Sequence, residues 1–238
     1  ETLRVVADGA SPMVFDYDDN TYQCGGESGL DLFGVPVGGP PGKGTQETLS
    51  APGCSLYIKK ATFDKIGGFP SELLGYVDEA DLCWRVWVAG GKIISVPSAR
   101  VHHRGAVIVN PKGRSQTLES RTSDSKRFLT NRNNILFLLK NCQHVLLLLL
   151  IPHLLLLLAE AGVMLVVVKR WSFIRTAYLA AILDAFKMYA HVRVWRRRIR
   201  SFRQRGDFWM MRFLRLKPGR WHEIERIFKF GLPKVDNK

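Results

Sequence analysis

Residues 145–168 (VLLLLLIPHLLLLLAEAGVMLVVV) form 24 almost wholly apolar positions, interrupted only by Pro152, His153 and Glu160. At ~1.5 Å rise per residue, such a helix is long enough to cross a ~30 Å hydrocarbon layer. A Leu-rich run of this length rarely sits in a soluble core, so it points to membrane contact. Pro152 is expected to kink the helix. Lys169-Arg170-Trp171 follows, then a weaker apolar segment, 173–190, which carries Arg175, Asp184 and Lys187 and so reads as amphipathic.

Charge decides how that run is placed. The chain has a net charge of +14, and residues 191–238 hold 15 Lys/Arg against 4 Asp/Glu. Cations within ~15–20 residues of a span prefer the cytoplasm. A single crossing would leave one basic flank outside, either 126–140 or 193–205. A hairpin or two interfacial helices keep both inside. The expectation is therefore a membrane-associated helical hairpin over 145–190, followed by a basic amphipathic cytoplasmic tail over 191–238. Trp195, Arg196, Arg197 and Arg198 are its expected membrane-binding residues, since anionic headgroups offer about 1 kcal/mol per cation. Nucleic acid is the competing partner for a basic, aromatic stretch. Its place directly after the apolar run disfavours it.

Residues 1–112 are mixed, with short apolar runs broken by Gly, Pro and Asp, as in an α/β unit. Cys24, Cys54, Cys83 and Cys142 form no CxxC pair. That spacing excludes a zinc ribbon and favours a reducing compartment. The loop 34–44 (GVPVGGPPGKG) is not a phosphate-binding loop, because Val37 and Gly44 stand where Gly and Ser/Thr are required. The opening Glu1-Thr-Leu-Arg resembles no secretory leader and suggests an upstream part. From Ser125 to Asn141, Phe128, Leu129, Ile135, Leu136, Leu138 and Leu139 share a helical face, with Lys126, Arg127, Arg132 and Lys140 around it. This makes 113–144 an amphipathic connecting segment.

The stretch 51–105 carries the chemistry. A short helix over 61–66 stops at Gly67-Gly68, and a second over 79–89 stops at Gly90-Gly91. A strand over 93–96 follows. Asp78, Glu79 and Asp81 thus gather at the start of the second helix, where the helix dipole favours carboxylates. Periodicity alone allows plain capping, with Asp78 as N-cap, as well as catalysis. Asp81 and Arg85, four apart, read as a structural ion pair.

The order Gly67-Gly68-Phe69, Tyr76, Asp78-Glu79-Ala80-Asp81-Leu82-Cys83-Trp84-Arg85, then Pro97-Ser98-Ala99-Arg100-Val101-His102-His103-Arg104-Gly105, resembles the acceptor half of glycosyltransferase family 2. The rhamnosyltransferase-like members are the most similar. Arg132-Asn133 and Lys140-Asn141 extend the likeness, which covers about residues 50–141. It implies an α/β fold: a partial GT-A type domain (the acceptor, catalytic half, 1–112) followed by membrane-associated α-helices. It further implies inverting transfer of a sugar from a nucleotide-sugar donor to a glycan or lipid-linked acceptor hydroxyl, in surface glycan synthesis on the cytoplasmic face of a membrane.

In that family the second residue of an acidic pair, usually Glu-Asp, takes the proton of the attacking hydroxyl. Here the pair is inverted. The resemblance makes Glu79 the base and Asp78 its neighbour, with the choice open between them. Tyr76, Trp84 and Gly68 become acceptor-binding candidates, His103 a metal ligand and Arg104 a diphosphate contact. The implied cofactor is a divalent metal, Mg2+ or Mn2+, whose main Asp-x-Asp ligands belong to an upstream nucleotide-binding half. Asp16-Tyr17-Asp18-Asp19 has suitable letters but lies only about 60 residues before the acidic pair, and reads as a turn. The chain thus resembles a C-terminal portion expected to be inactive alone. The alternative is a non-catalytic module that binds anionic lipid or a partner through its basic tail.

Overall fold

The strand β1 (Gly9–Asp16) organises a curled, mixed sheet. It pairs in parallel with β7 (Ile93–His103) and antiparallel with β2 (Tyr22–Cys24) and β6 (Tyr57–Ile58); β5 (Gln46–Glu47) pairs antiparallel on the far side of β7. The computed structural model describes residues 7–38, 44–104, 121–216, 219 and 234–236. Residues 113–120 of the expected connecting segment, 39–43 of the glycine-rich loop, Gly105, and Trp221 and Phe228 of the expected tail lie outside the described residues. The β1–β7 register slips from Pro12↔Val96 to Met13↔Arg100. A proline has no N–H to give the ladder, and Pro12 and Pro97 meet at this irregularity. The strand expected to stop at Val96 therefore resumes beyond it and carries on to His103. A small hairpin, β3 (Glu27–Leu30) with β4 (Pro36–Gly38), sits apart, and β8 (Arg121–Ser123) pairs with β9 (Lys234–Asp236).

Helix α1 (Lys60–Ile66) ends on Gly67 in the left-handed conformation, and α2 (Asp78–Val88) ends at Ala89 before Gly90, as the glycine stops predict. Helix α3 (Asp124–Asn141) begins where Ser123 accepts a bond from the Lys126 N–H. Its expected polar side divides: Lys126 and Arg127 are half-buried, whereas Arg132 and Lys140 are buried. Asn131, Asn133, Asn134 and Asn141 are buried with them, so α3 is enclosed by the fold from Asn131 onward and each of these groups needs a partner.

The apolar run forms a 3-10 turn, Leu146–Leu149, continuous with α4 (Leu150–Val168). Pro152 is the third residue of α4, close behind the junction with the 3-10 turn. Next come α5 (Trp171–Ile174), a π-helical segment (Arg175–Ala180) and α6 (Ala181–Lys187), in one continuous rod. The Asn131 amide donates to the Ala177 carbonyl at 2.8 Å. That bond gives this π-segment carbonyl a partner outside its own helix.

Residues 191–215, expected as a separate tail, are folded onto the rest. Helix α7 (Tyr189–Phe202) buries Val192, Trp195 and Ile199. Arg196 donates to the carbonyls of Leu139 and Cys142 and Arg203 to that of Asn141, closing the C-terminal end of α3. Arg205 does the same for α2 through the carbonyls of Trp87, Gly90 and Gly91. Helix α8 (Asp207–Met210) places Asp207 as acceptor for the Gln143 and Leu146 N–H groups. Trp209 and Phe213 then pack on Trp87. One apolar cluster accordingly runs from Leu30 through α2 and α3 to Phe213.

Candidate functional site

Leu74, Gly75, Tyr76 and Val77 take four successive positive φ angles of 52°, 87°, 61° and 68°. Only glycine does this freely, and a β-branched valine there is an outlier. Each such residue costs of order 1–3 kcal/mol and persists only when its surroundings hold it. Helix α3 supplies the hold. The buried Asn133 Nδ2 lies 2.7, 2.8 and 2.9 Å from the carbonyl oxygens of Leu73, Gly75 and Tyr76. Arg132 donates to the Glu72 carbonyl at 2.8 Å, and its Nε donates to Asn133 Oδ1 at 3.0 Å, which turns the amide nitrogen toward the loop. Leu73 is buried in the apolar cluster that also holds Leu157 and Ala161 of α4.

This clamped loop leads directly into α2, whose N-cap is Val77 with no side-chain cap bond. Asp78 is the first helical residue, so the capping role considered for it is not the one it plays. Asp78 and Glu79 are both half-buried. A Cβ built at Gly53 would stand 3.8 Å from the Glu79 carboxyl, so the loop at Gly53 lies beside that carboxylate. The neighbouring Cys54 thiol is pushed up, chiefly by burial and additionally by the Glu79 charge. The arrangement provides a half-buried carboxylate pair behind a hydrogen-bonded loop, able to accept a proton from a hydroxyl within hydrogen-bond reach.

Asp81 points the other way, into the protein. It is wholly buried and takes Arg85 on one oxygen at 2.8 and 3.0 Å, with Lys140 at 2.9 Å and Asn141 at 2.7 Å on the other. Burial alone would raise its carboxyl, but Lys140 and Arg85 outweigh that and hold it at about 2. Burial pushes the Lys140 ammonium down, partly countered by Asp81. The expected Asp81–Arg85 pair is thus one side of a larger network. Trp195 covers it, with Lys140 Nζ 4.7 Å and the Arg85 guanidinium 4.8 Å from its ring centre.

The remaining predicted residues divide. Tyr76 is exposed on the loop, beside the acidic pair. Trp84 is 1% exposed and packs edge-on against Phe137, which corrects its expected acceptor contact: it is core. Gly68 has φ 63°, and a Cβ there would stand 3.0 Å from the Phe63 ring, so its position answers to the backbone turn. Trp195 and Arg196 face inward, as described, which turns them from the lipid contact expected of them; Arg197 and Arg198 are exposed. His103 ends β7 opposite Asp16. Gln23 links the two, donating to Asp16 Oδ2 at 2.8 Å and lying 3.3 Å from His103 Nδ1. Arg104 pairs with Asp18 at 3.2 Å over the Tyr17 ring. Asp16–Asp19 form the β1–β2 turn, with Asp16 and Asp19 carboxylates accepting the N–H groups of Asp18 and Thr21.

Among the described residues, no group of three or more His, Cys, Asp or Glu side chains is arranged to hold a metal ion. These residues do not fit a self-contained metal centre. The adjacent Arg132 and Asn133 stand out in the sequence, but nothing there reveals their task as a loop clamp. The chain matches no model of a known protein family, and a search of curated proteins returns no match.

Proposed function

We propose that this chain is the acceptor-side part of a membrane-associated inverting glycosyltransferase, using a nucleotide-sugar donor and a glycan or lipid-linked acceptor at the cytoplasmic face. The observation that carries this reading is the strained loop, fixed by Asn133, that sets Asp78 and Glu79 at the uncapped start of α2. Non-glycine residues held at positive φ cluster at functional sites, where the strain sets a geometry. In this reading Glu79 accepts the acceptor hydroxyl proton as the oxygen attacks the anomeric carbon, and the nucleoside diphosphate leaves from the opposite face. Asp78 orients the hydroxyl or the base, and Tyr76 flanks the acceptor. The order of the acidic pair is the reverse of the family's, so the two carboxylates exchange roles if the hydroxyl binds nearer Asp78. A divalent metal, Mg2+ or Mn2+, would take its main ligands outside these residues and would neutralise the leaving diphosphate, with His103 as one further candidate ligand.

The test is nucleotide-sugar turnover by the native protein in its membrane. Glu79→Gln should lower turnover by about 10²–10⁴-fold with an unchanged unfolding midpoint. Full activity in Glu79→Gln, with loss in Asp78→Asn, would move the base to Asp78. Full activity in both would refute the reading. The exposed apolar side of α4 favours a second one, a non-catalytic module held on lipid, which predicts salt-sensitive vesicle binding and no turnover.

A further inference from the structure

Helix α4, with the turn that leads into it, has two apolar faces with different neighbours. Leu146, His153, Leu157, Ala161 and Met164 are buried against the protein. Ile151, Leu155, Leu158, Val163 and Val166 are half to nearly three-quarters exposed. At about 100° per residue, the exposed positions cover an arc of about 140° and the buried ones lie opposite. Glu160, the one acid in α4, lies off the outward arc.

The buried seam from Leu146 to Met164 runs for ~27 Å of helix, close to the ~30 Å thickness of a hydrocarbon layer. Over that length α4 rests on α3 and the α5–α6 rod. His153 Nδ1 lies 2.8 Å from the Phe33 carbonyl in the β3–β4 turn. Were α4 to cross a bilayer, this irregular turn and the exposed Arg175 and Lys187 of the rod would have to enter hydrocarbon, where turn backbone is not tolerated. From 145 to 202 there are nine Lys/Arg against Glu160 and Asp184. Lys169, Arg175, Lys187, Arg193 and Arg197 are exposed, as are Trp171 and Tyr189, residue types that favour headgroup level. A second copy of this chain would bring a like net charge. An anionic leaflet complements it.

We infer that α4 lies flat in one leaflet of an anionic membrane, its outward Ile/Leu/Val stripe inserted and its inner face seated on the protein, without crossing. This rests on the membrane placement proposed above and replaces the open choice between hairpin and interfacial helices with one geometry.

The full chain, with Cys24 and Cys54 changed to serine, is labelled with an environment-sensitive probe through Ile151→Cys, Leu158→Cys or Val166→Cys. It is then mixed with phosphatidylcholine vesicles with or without phosphatidylserine, carrying shallow or deep acyl-chain quenchers. The expected result is phosphatidylserine-dependent insertion, with all three probes quenched alike at the shallow position, about 5–10 Å into the boundary. A deep probe at 158 between shallow probes at 151 and 166 means crossing and overturns the inference. Unchanged emission with vesicles, or a doubled mass in solution, overturns it too. Leu155→Glu with Leu158→Glu, both outward, should lower vesicle binding at least tenfold. Unaltered depths in a turnover-dead Glu79→Gln separate this inference from the catalytic one. Equal depths in a protein that transfers no sugar would sink only the latter.

Discussion

The Asn133 side-chain nitrogen lies 2.9 Å from the Tyr76 carbonyl oxygen, two residues ahead of Asp78. An amide nitrogen has two hydrogens, so the bonds to Leu73, Gly75 and Tyr76 are shared among three acceptors. Asn133→Leu leaves those carbonyls without this donor and should cost about 3 kcal/mol. Denaturant titration measures the loss, and amide exchange of residues 73–77 should quicken more than that of α2. Equal protection in the variant would mean the loop holds itself.

Asp81→Asn leaves Arg85 and Lys140 buried around a neutral amide, at an expected cost of about 3–5 kcal/mol. The acid response follows from the carboxyl held at about 2, below its ordinary 3.8. Between those values the folded state binds fewer protons than the unfolded one. Stability is complete above roughly pH 4 and is lost as pH falls through about 2, by about 2 kcal/mol at the rate of 1.36 per unit. Urea midpoints from pH 5 to 2 should fall less steeply in Asp81→Asn than in the wild type.

His191 faces Glu72, with Nδ1 3.2 Å from Oε1, and feels Lys140 and Asp81 behind it. Burial pushes it below 6.5, Glu72 pulls it back in part, and Lys140 adds to the depression. Its folded form therefore resists protonation. The stability it contributes is intact above pH 6.5 and declines as pH drops below that through the folded value. His191→Gln should flatten the midpoint between about pH 7.5 and 5. An unchanged slope would assign it to another group.

Arg205 receives no credit from the chain's basic composition, yet it closes α2 and stacks 4.0 Å from the Trp209 ring centre. Arg205→Ala should destabilise by about 2 kcal/mol. Truncation after Met188, which removes Trp195, Ile199, Met210 and Phe213 from the core, should abolish cooperative unfolding by calorimetry. A truncated chain with a wild-type melt would restore the view of 191–238 as a detachable tail.

Helices α1, α2 and α3 were legible because apolar spacing and glycine stops are local signals, and the position of the acidic pair at the head of α2 followed from them. What was illegible was non-local. The rule that polar residues of a helix face water placed Arg132 and Lys140 outside, whereas α3 is surrounded and both serve buried acceptors. The same rule read a run of arginines as a lipid-facing tail, although Arg196, Arg203 and Arg205 are bound to carbonyls up to 118 positions away in the chain. Positive φ at Tyr76 and Val77 has no sequence signature, since neither residue favours it. Only the partner helix makes it tolerable.

The seating of Trp195 over Lys140 and Arg85 gives chain growth an order. During synthesis the acidic pair and its loop emerge first, but the charges behind α2 remain wet until α7 has left the ribosome and docked. The network behind α2 is therefore completed only when α7 docks, and a product released before Trp195 would leave Arg85 and Lys140 without their cover.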